Sequence, residues 1–225
     1  GVGVGGGGCE LGAVAGGLAR VGRVVGVLAF AWPLEGTGQP SSDNCVGEVA
    51  EKYGRIDVLV NNAGLALGLT PIAQSRDEDW IGMWEVNVLG LMRVTRSCLP
   101  LLRKAKHGHI VNLGSIAGFE TYVGGAGYTA SKHAVHAITR TLRLELNGEP
   151  IRVTELAPGM VETDFSNVRF RGDRKAAKAV YKGVKPLVAA DIADCIVFAV
   201  TRPPHVAVAE IVIRPVAQAA SWRVA

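Results

Sequence analysis

A doubly wound α/β fold, with a mostly parallel sheet covered by helices on both faces, is the class that this 225-residue sequence predicts. Two observations carry the prediction. From about residue 46 onward, short apolar runs rich in β-branched residues alternate with helical patterns of ten or more residues, which is the pattern of βαβ units. No internal repeat or linker interrupts this alternation, and the chain is long enough to bury one core, so residues 1–225 read as a single domain.

The elements follow in order. Val24-Val25-Gly26-Val27 is strand-like, and Val46 to Tyr53 has a helical pattern. Ile56–Val60 is a short, buried strand, and Asp79 to Leu102 reads as a long helix stopped by Gly108. His109–Leu113 is the next strand and Tyr128 to Leu146 the next helix. Ile151–Leu156 is a strand that ends at Pro158-Gly159, where proline cannot continue the ladder. Ala189–Val200 is a helix and Glu210–Ile213 a last strand. Ligands of such sheets bind outside the carboxyl ends of the strands, so function is expected just after Val60, Leu113 and Leu156.

Composition narrows the partners. The net charge of +4 is spread along the chain, and Arg103-Lys104-Ala105-Lys106 reads as a solvated face rather than a nucleic-acid patch. Cys9, Cys45, Cys98 and Cys195 form no CxxC pair, which argues against a zinc site or a disulfide framework and fits a reducing cytoplasm. No apolar run reaches the roughly 18 residues of a membrane span. Arg20 and Arg23 ahead of Val24–Trp32 imitate a signal peptide, but no small-residue cleavage site follows.

The strand ends carry Asn61-Asn62-Ala63-Gly64, Gly114-Ser115 and Pro158-Gly159, with Tyr128-Thr129-Ala130-Ser131-Lys132 between the last two. Tyr128 and Lys132, four apart, share one helix face. A phenol of pKa about 10 is a poor base at neutral pH; a neighbouring ammonium and an oxidised nicotinamide would both lower that value. Ser115 can hold a substrate oxygen while Tyr128 moves the proton. A Tyr-x-x-x-Lys spacing alone is common on exposed helices, so the weight lies in its combination with Ser115, Asn87, the Asn-Asn-Ala-Gly turn and the Pro-Gly turn.

Taken in this order and context, these motifs resemble the short-chain dehydrogenase/reductase family, and the match runs from about Gly47 to Ala220. The resemblance implies a Rossmann-type fold with an abbreviated N-terminal part. It implies catalytic roles for Tyr128 as general acid/base, Ser115 as ligand of the substrate oxygen, Lys132 on the nicotinamide ribose and Asn87 holding a water in a proton relay. Asn62, Ala63 and Gly64 would line the cofactor pocket together with Tyr128 and Lys132; Pro158, Gly159, Val161 and Thr163 would lie along the nicotinamide side. Val161 to Asp173 and the tail from Thr201 to Gln218 are similar to NADP-dependent 3-hydroxy acid (serine/allo-threonine) dehydrogenases and to clavulanate dehydrogenase. NADP is therefore the implied cofactor, with NAD as the alternative. Hydride transfer to or from a small secondary alcohol or carbonyl, most plausibly a 3-hydroxy acid, is the implied reaction. Arg169 and Arg171 are candidate partners for a substrate carboxylate, or equally exposed loop arginines.

The N-terminal segment departs from the family. Its TGxxxGxG phosphate loop aligns best with Gly5–Gly12, which sets Gly6 and Gly12 on the first and third glycines and Glu10 on the middle one. Val24-Val25-Gly26-Val27 resembles the family's second strand, whose end should carry an acidic residue for NAD or arginines for NADP, but Ala29 and Phe30 offer neither. Leu34-Glu35 falls where an adenine-contacting Asp is expected. A βαβ unit takes about 30 residues or more, so one helix and much of a strand are missing from this interval. A catalytically silent relative that serves as a binding or assembly subunit is the alternative function. His133 and His136, one turn apart, lack a third ligand at suitable spacing, so no metal is expected. Trp80 and Trp84 share a face and are expected to pack. Family members usually associate through the helices around Asn87 and Tyr128, which implies a homodimer or homotetramer.

Overall fold

The computed structural model describes Val27–Ala29 and residues 39–224. Gly6, Gly12, Glu10, Leu34 and Glu35 lie outside the described residues, and with them the expected phosphate loop.

The elements are β1 (Val27–Ala29), α1 (Gln39–Tyr53), β2 (Val58–Asn61), α2 (Asp77–Trp84), a π-helical segment (Glu85–Gly90) that runs into α3 (Leu91–Leu102), β3 (Gly108–Leu113), α4 (Ala126–Glu145), β4 (Ile151–Pro158), α5 (Phe165–Arg169), α6 (Arg174–Ala179), α7 (Ala189–Val200), β5 (Glu210–Ile213), β6 (Gln218–Ala220) and β7 (Arg223–Val224). Strands β1 to β5 form one sheet in the order β1-β2-β3-β4-β5, and every pairing is parallel. The short β6–β7 ribbon is antiparallel.

Register explains the two cores. Leu59, Ile110 and Val153 stand side by side across β2, β3 and β4 and pack against Val46, Cys98, Leu101 and Leu142 from α1, α3 and α4. Val58, Val60, Val111, Leu113 and Leu156 point the other way and meet Ile192 and Ile196 of α7. Strands covered on both faces need the near-continuous apolar runs that the sequence shows.

Two expectations are corrected. The strand expected to be second in the fold lies directly against β2. In a 3-2-1-4-5-6 order that is the place of the first strand, and no described strand intervenes to hold Val27–Ala29 further out. The long helix is also not uniform. It widens into a π turn at Glu85–Gly90, and that turn buries Asn87 and Val88, as such turns often do near functional sites.

Candidate functional site

The carboxyl ends of β2 and β3 are tied to each other, and to α3 and α4, by buried amides. Asn61 Nδ2 donates to Asn112 Oδ1 at 2.8 Å and to Thr95 Oγ1 at 2.9 Å, and Asn112 Nδ2 donates to Thr139 Oγ1 at 2.9 Å. Buried polar groups are tolerated only when paired in this way. The result is a fixed platform from which the site loops leave.

Asn87 pins the first of these loops. Its Oδ1 accepts from Leu65 N at 2.8 Å, and its Nδ2 donates to Leu65 O and to Ser131 Oγ, each at 2.9 Å. Both amide N–H donors are thus taken, leaving one acceptor lone pair on Oδ1. A Cβ at Gly64 would stand 3.4 Å from both Asn87 Oδ1 and Lys132 Nζ, so the Asn61–Gly64 turn closes directly over these two side chains.

Ser115 follows β3 in extended backbone and caps a short turn, its Oγ accepting from Ala117 N at 3.1 Å and lying 3.5 Å from Pro158 O. Gly114, just before it, admits no side chain: a Cβ there would be 2.2 Å from Glu155 Oε1. Glu155 is fully buried on β4, beneath this loop, and its Oε2 meets His136 Nδ1 at 2.7 Å. Burial pushes the Glu155 carboxyl up, opposed by His136 and Lys132.

Lys132 is 5% exposed, and its Nζ donates to Leu113 O at 2.8 Å. Desolvation lowers its amine to about 8, with the charge of Glu155 acting against the shift. Tyr128 lies one turn earlier on α4, its ring centroid 6.0 Å from Lys132 Nζ. The expectation of a depressed phenol is corrected here. Burial dominates and raises Tyr128 to about 12, while a hydrogen bond with Ser115 and the charge of Arg169 pull the other way. Without a further positive charge, Tyr128 is a protonated phenol at neutral pH.

The loop after β4 forms the opposite wall. Gln218 fixes its start: Oε1 accepts from Met160 N at 2.8 Å and occupies the space a Cβ at Gly159 would need. Val161 O accepts from the Tyr181 hydroxyl at 3.0 Å, and Thr163 Oγ1 accepts from Phe165 N at 3.3 Å. Phe165 stands edge-on to Tyr128 with ring centroids 5.5 Å apart. The two candidate arginines part company. Arg171, in left-handed backbone (φ 52°), gives its guanidinium to Asp79 at 2.5 and 2.7 Å. Arg169 turns inward, its guanidinium carbon 5.2 Å from the Tyr128 ring centroid, 5.5 Å from that of Tyr122 and 5.8 Å from that of Phe165.

The structure thus gathers Asn87, Ser115, Tyr128 and Lys132 at the strand ends, with Asn62, Ala63, Gly64, Pro158, Gly159, Val161 and Thr163 keeping exposed surface around them. Sequence reasoning missed Tyr122, Glu155 and the anchoring role of Gln218. A carboxylate on a strand, Ile151–Leu156, expected to be covered on both faces was the available signal for Glu155. Gly125 was a weaker one for Tyr122, whose ring lies where a Cβ at Gly125 would be.

Two side expectations also meet the structure. His136, Glu155 and Glu210 bring ligand atoms within 4.8 Å of one another. Each is already engaged, His136 with Glu155 and Glu210 with Arg140, while His133 Nδ1 bonds Thr129 O at 2.8 Å. The two tryptophans do not pack into the core. Trp80 lies over Gly127, yet Trp80 and Trp84 stay 36% and 44% exposed, beside Ile81 at 62%. Together these three line an open apolar groove between α2 and α4. No helix among the described residues is long and apolar enough to cross a membrane.

Comparison with known proteins places this arrangement in a class. The short chain dehydrogenase family model matches residues 13–174, and the chain belongs to that family. It is 56% identical over 158 residues to an uncharacterized oxidoreductase of Mycobacterium tuberculosis, covering 70% of this chain and 63% of that protein. It is 44% identical over 170 residues to an NADP-dependent 3-hydroxy acid dehydrogenase of Schizosaccharomyces pombe, covering 76% of this chain and 66% of that one. Among solved structures, the closed form of a serine dehydrogenase complexed with NADP+ is 38% identical with a TM-score of 0.76, over 81% of this chain and 74% of that chain. The aligned part of the chain therefore spans less than two thirds of the mycobacterial relative's length.

Proposed function

We propose that this chain is an oxidoreductase that transfers a hydride between NADP(H) and a secondary alcohol or carbonyl compound, with a 3-hydroxy acid as the substrate class. The observation that carries the reading is the convergence of Tyr128, Ser115, Lys132 and Asn87 at the carboxyl ends of β2, β3 and β4. The 3-hydroxy acid class and the preference for NADP rest on the relatives named above.

The residues present fit the nicotinamide half of such a cofactor. The Asn62–Gly64 turn carries no bulky side chain over Lys132, whose buried amine has donors beyond the one taken by Leu113 O. When bound, the cofactor accepts or supplies the hydride. Ser115 holds the substrate oxygen, and the Tyr128 hydroxyl gives a proton to that oxygen in reduction or takes it in oxidation. Lys132 and Arg169 bring positive charge within 6.0 and 5.2 Å of the Tyr128 ring centroid, which favours the negative charge that develops on the phenol during oxidation. Asn87 keeps the Gly64–Leu65 backbone in place against Ser131 and so preserves the spacing of the other three groups.

The same reading treats residues 1–225 as one dinucleotide-binding domain, with Gly6 and Gly12 approaching the diphosphate. It places the protein in the cytoplasm, in keeping with the free Cys45, Cys98 and Cys195. It also includes self-association into a homodimer or homotetramer through the α2–α4 face that exposes Trp80, Ile81, Trp84 and Met92; light scattering tests that part. Titration with NADPH and NADH, followed by cofactor fluorescence, tests the core of the proposal. Saturable binding, turnover of a 3-hydroxy acid, and loss of turnover with retained binding in Tyr128→Phe are the expected results. A folded chain that binds neither cofactor would instead be the silent relative.

A further inference from the structure

We propose that Arg169 receives the substrate carboxylate and makes the space in front of Tyr128 selective for hydroxy acids over neutral alcohols. This rests on the oxidoreductase reading above and on Tyr128 as the proton carrier.

The Arg169 guanidinium is held by aromatic rings. It lies among three rings, Tyr122, Tyr128 and Phe165, none of which brings a negative charge. It donates one N–H to the Tyr122 hydroxyl, while Nε is buried and has no hydrogen-bond partner. Among the described residues no carboxylate pairs with it, although Arg171, two positions on, is engaged by Asp79. A cation packed on aromatic rings and lacking a counter-ion is fixed in position, yet still lacks the partner a planar guanidinium satisfies best, which is a carboxylate held bidentately.

The position is built rather than incidental. Tyr122 reaches Arg169 because Gly125 leaves room for its ring, and Gly124 beside it takes a left-handed conformation (φ +77°) against the Leu69–Thr70 backbone. Arg169 O in turn accepts from Gly68 N at 3.0 Å, tying the end of α5 to the loop that follows β2. Two separate loops therefore hold one cation beside the reacting phenol. A 3-hydroxy acid carries its carboxylate two carbons from the carbon whose oxygen Ser115 and Tyr128 would hold. Its anionic end therefore falls next to the reacting centre, on the side where Arg169 stands. A neutral alcohol leaves the guanidinium unpaired in a part-buried site, which is the source of the discrimination.

The test compares oxidation of 3-hydroxybutyrate and of its methyl ester by NADP+, in the wild-type chain and in Arg169→Met, Arg169→Lys and Arg171→Ala. Arg169→Met should lower kcat/KM for the acid by roughly 10- to 100-fold more than for the ester, the loss of a charge-assisted contact, chiefly through KM; a smaller fall shared by both substrates reads the lost charge beside Tyr128. Arg169→Lys should recover part of the loss on the acid, and Arg171→Ala should change neither substrate. An equal fall on acid and ester in both Arg169 variants would overturn the inference, since the arginine would then act through Tyr128 or the fold. So would an unchanged acid rate in Arg169→Met, or a wild-type chain that prefers the ester. A wild-type chain that oxidises neither compound, nor any other alcohol, would instead sink the oxidoreductase reading, and this inference with it.

Discussion

Replacing Lys132 with Met separates what this residue costs the fold from what it gives the site. The ammonium is buried, and its folded pKa of about 8 stands below the ordinary 10.5. At about 1.4 kcal/mol per unit, that depression amounts to about 3 kcal/mol of destabilisation when the amine is charged in both states. The sign follows from proton binding: between about pH 8 and 10.5 the unfolded chain holds the proton that the folded chain has released, so stability rises with pH across that window. Below it the penalty is complete. Met keeps the length of the stem but gives up the hydrogen bond to Leu113 O, worth about 1–2 kcal/mol. The variant should therefore be more stable than the wild type by about 1–2 kcal/mol at pH 7. Between pH 7 and pH 10 the wild type should gain about 2–3 kcal/mol on it, enough to reverse the order. Urea unfolding of both proteins at the two pH values reads this directly, since all other titrating groups are shared. A stability difference that stays the same at pH 7 and pH 10 would refute the argument. Turnover should be absent from the variant at either pH.

The remaining expectations concern the site and its supports. In the direction of carbonyl reduction, kcat/KM should fall as pH rises through about 8, where Lys132 loses its charge, while Tyr128, at about 12, stays protonated; a profile flat to pH 9.5 would contradict the assignment. Gly114→Ala drives a methyl group to within 2.2 Å of Glu155 Oε1 and should destabilise by about 1–3 kcal/mol, seen as a lower melting temperature together with weaker turnover. Asn87→Ala leaves Leu65 N and O without their side-chain partners in the interior, a loss of about 2–4 kcal/mol. Faster amide exchange at Leu65 would localise the effect.

Much of this architecture is legible in the chain itself because parallel strands and long amphipathic helices announce themselves. Ala189–Val200 and Glu210–Ile213 appear at the bounds that the apolar pattern indicates, and α4 differs by two residues at its start and one at its end. β2 begins later than expected, at Val58, because Ile56 N donates to Leu101 O in the last turn of α3 rather than to a neighbouring strand. α1 begins seven residues before Val46: Pro40, as the second helical residue, is tolerated where the first-turn amides lack intrahelical partners. The proposed reactive group was readable from Ser115, Tyr128 and Lys132, which the end of β3 and the helix α4 that follows it bring together. Local pattern does not encode what depends on distant close approach. Tyr122 reaches Arg169 across 47 positions, and Gln218 reaches Met160 across 58. Nor does sequence spacing foretell that burial, rather than the neighbouring ammonium, governs the Tyr128 phenol.

The widened turn at Glu85–Gly90 has a consequence for how freely this chain can change length. Inward-facing positions along the helix fall at 83, 87, 91 and 95, every four residues, whereas a regular α-helix would rotate past the core by about 40° at each such step. The π turn absorbs that drift and keeps Met83, Asn87, Leu91 and Thr95 in phase. Deleting one residue between Asn87 and Leu91 would leave the inward positions spaced four, three and four, which a regular α-helix keeps in phase, so the segment would close into an ordinary helix and give up the wide turn that buries Asn87 and Val88. An insertion has no such outlet and would swing one half of the helix by about 100° against the other, turning either Met83 or the Thr95–Cys98 face toward solvent. The helix behaves like a meshed gear with one spare tooth: it can lose that tooth without slipping but cannot take another.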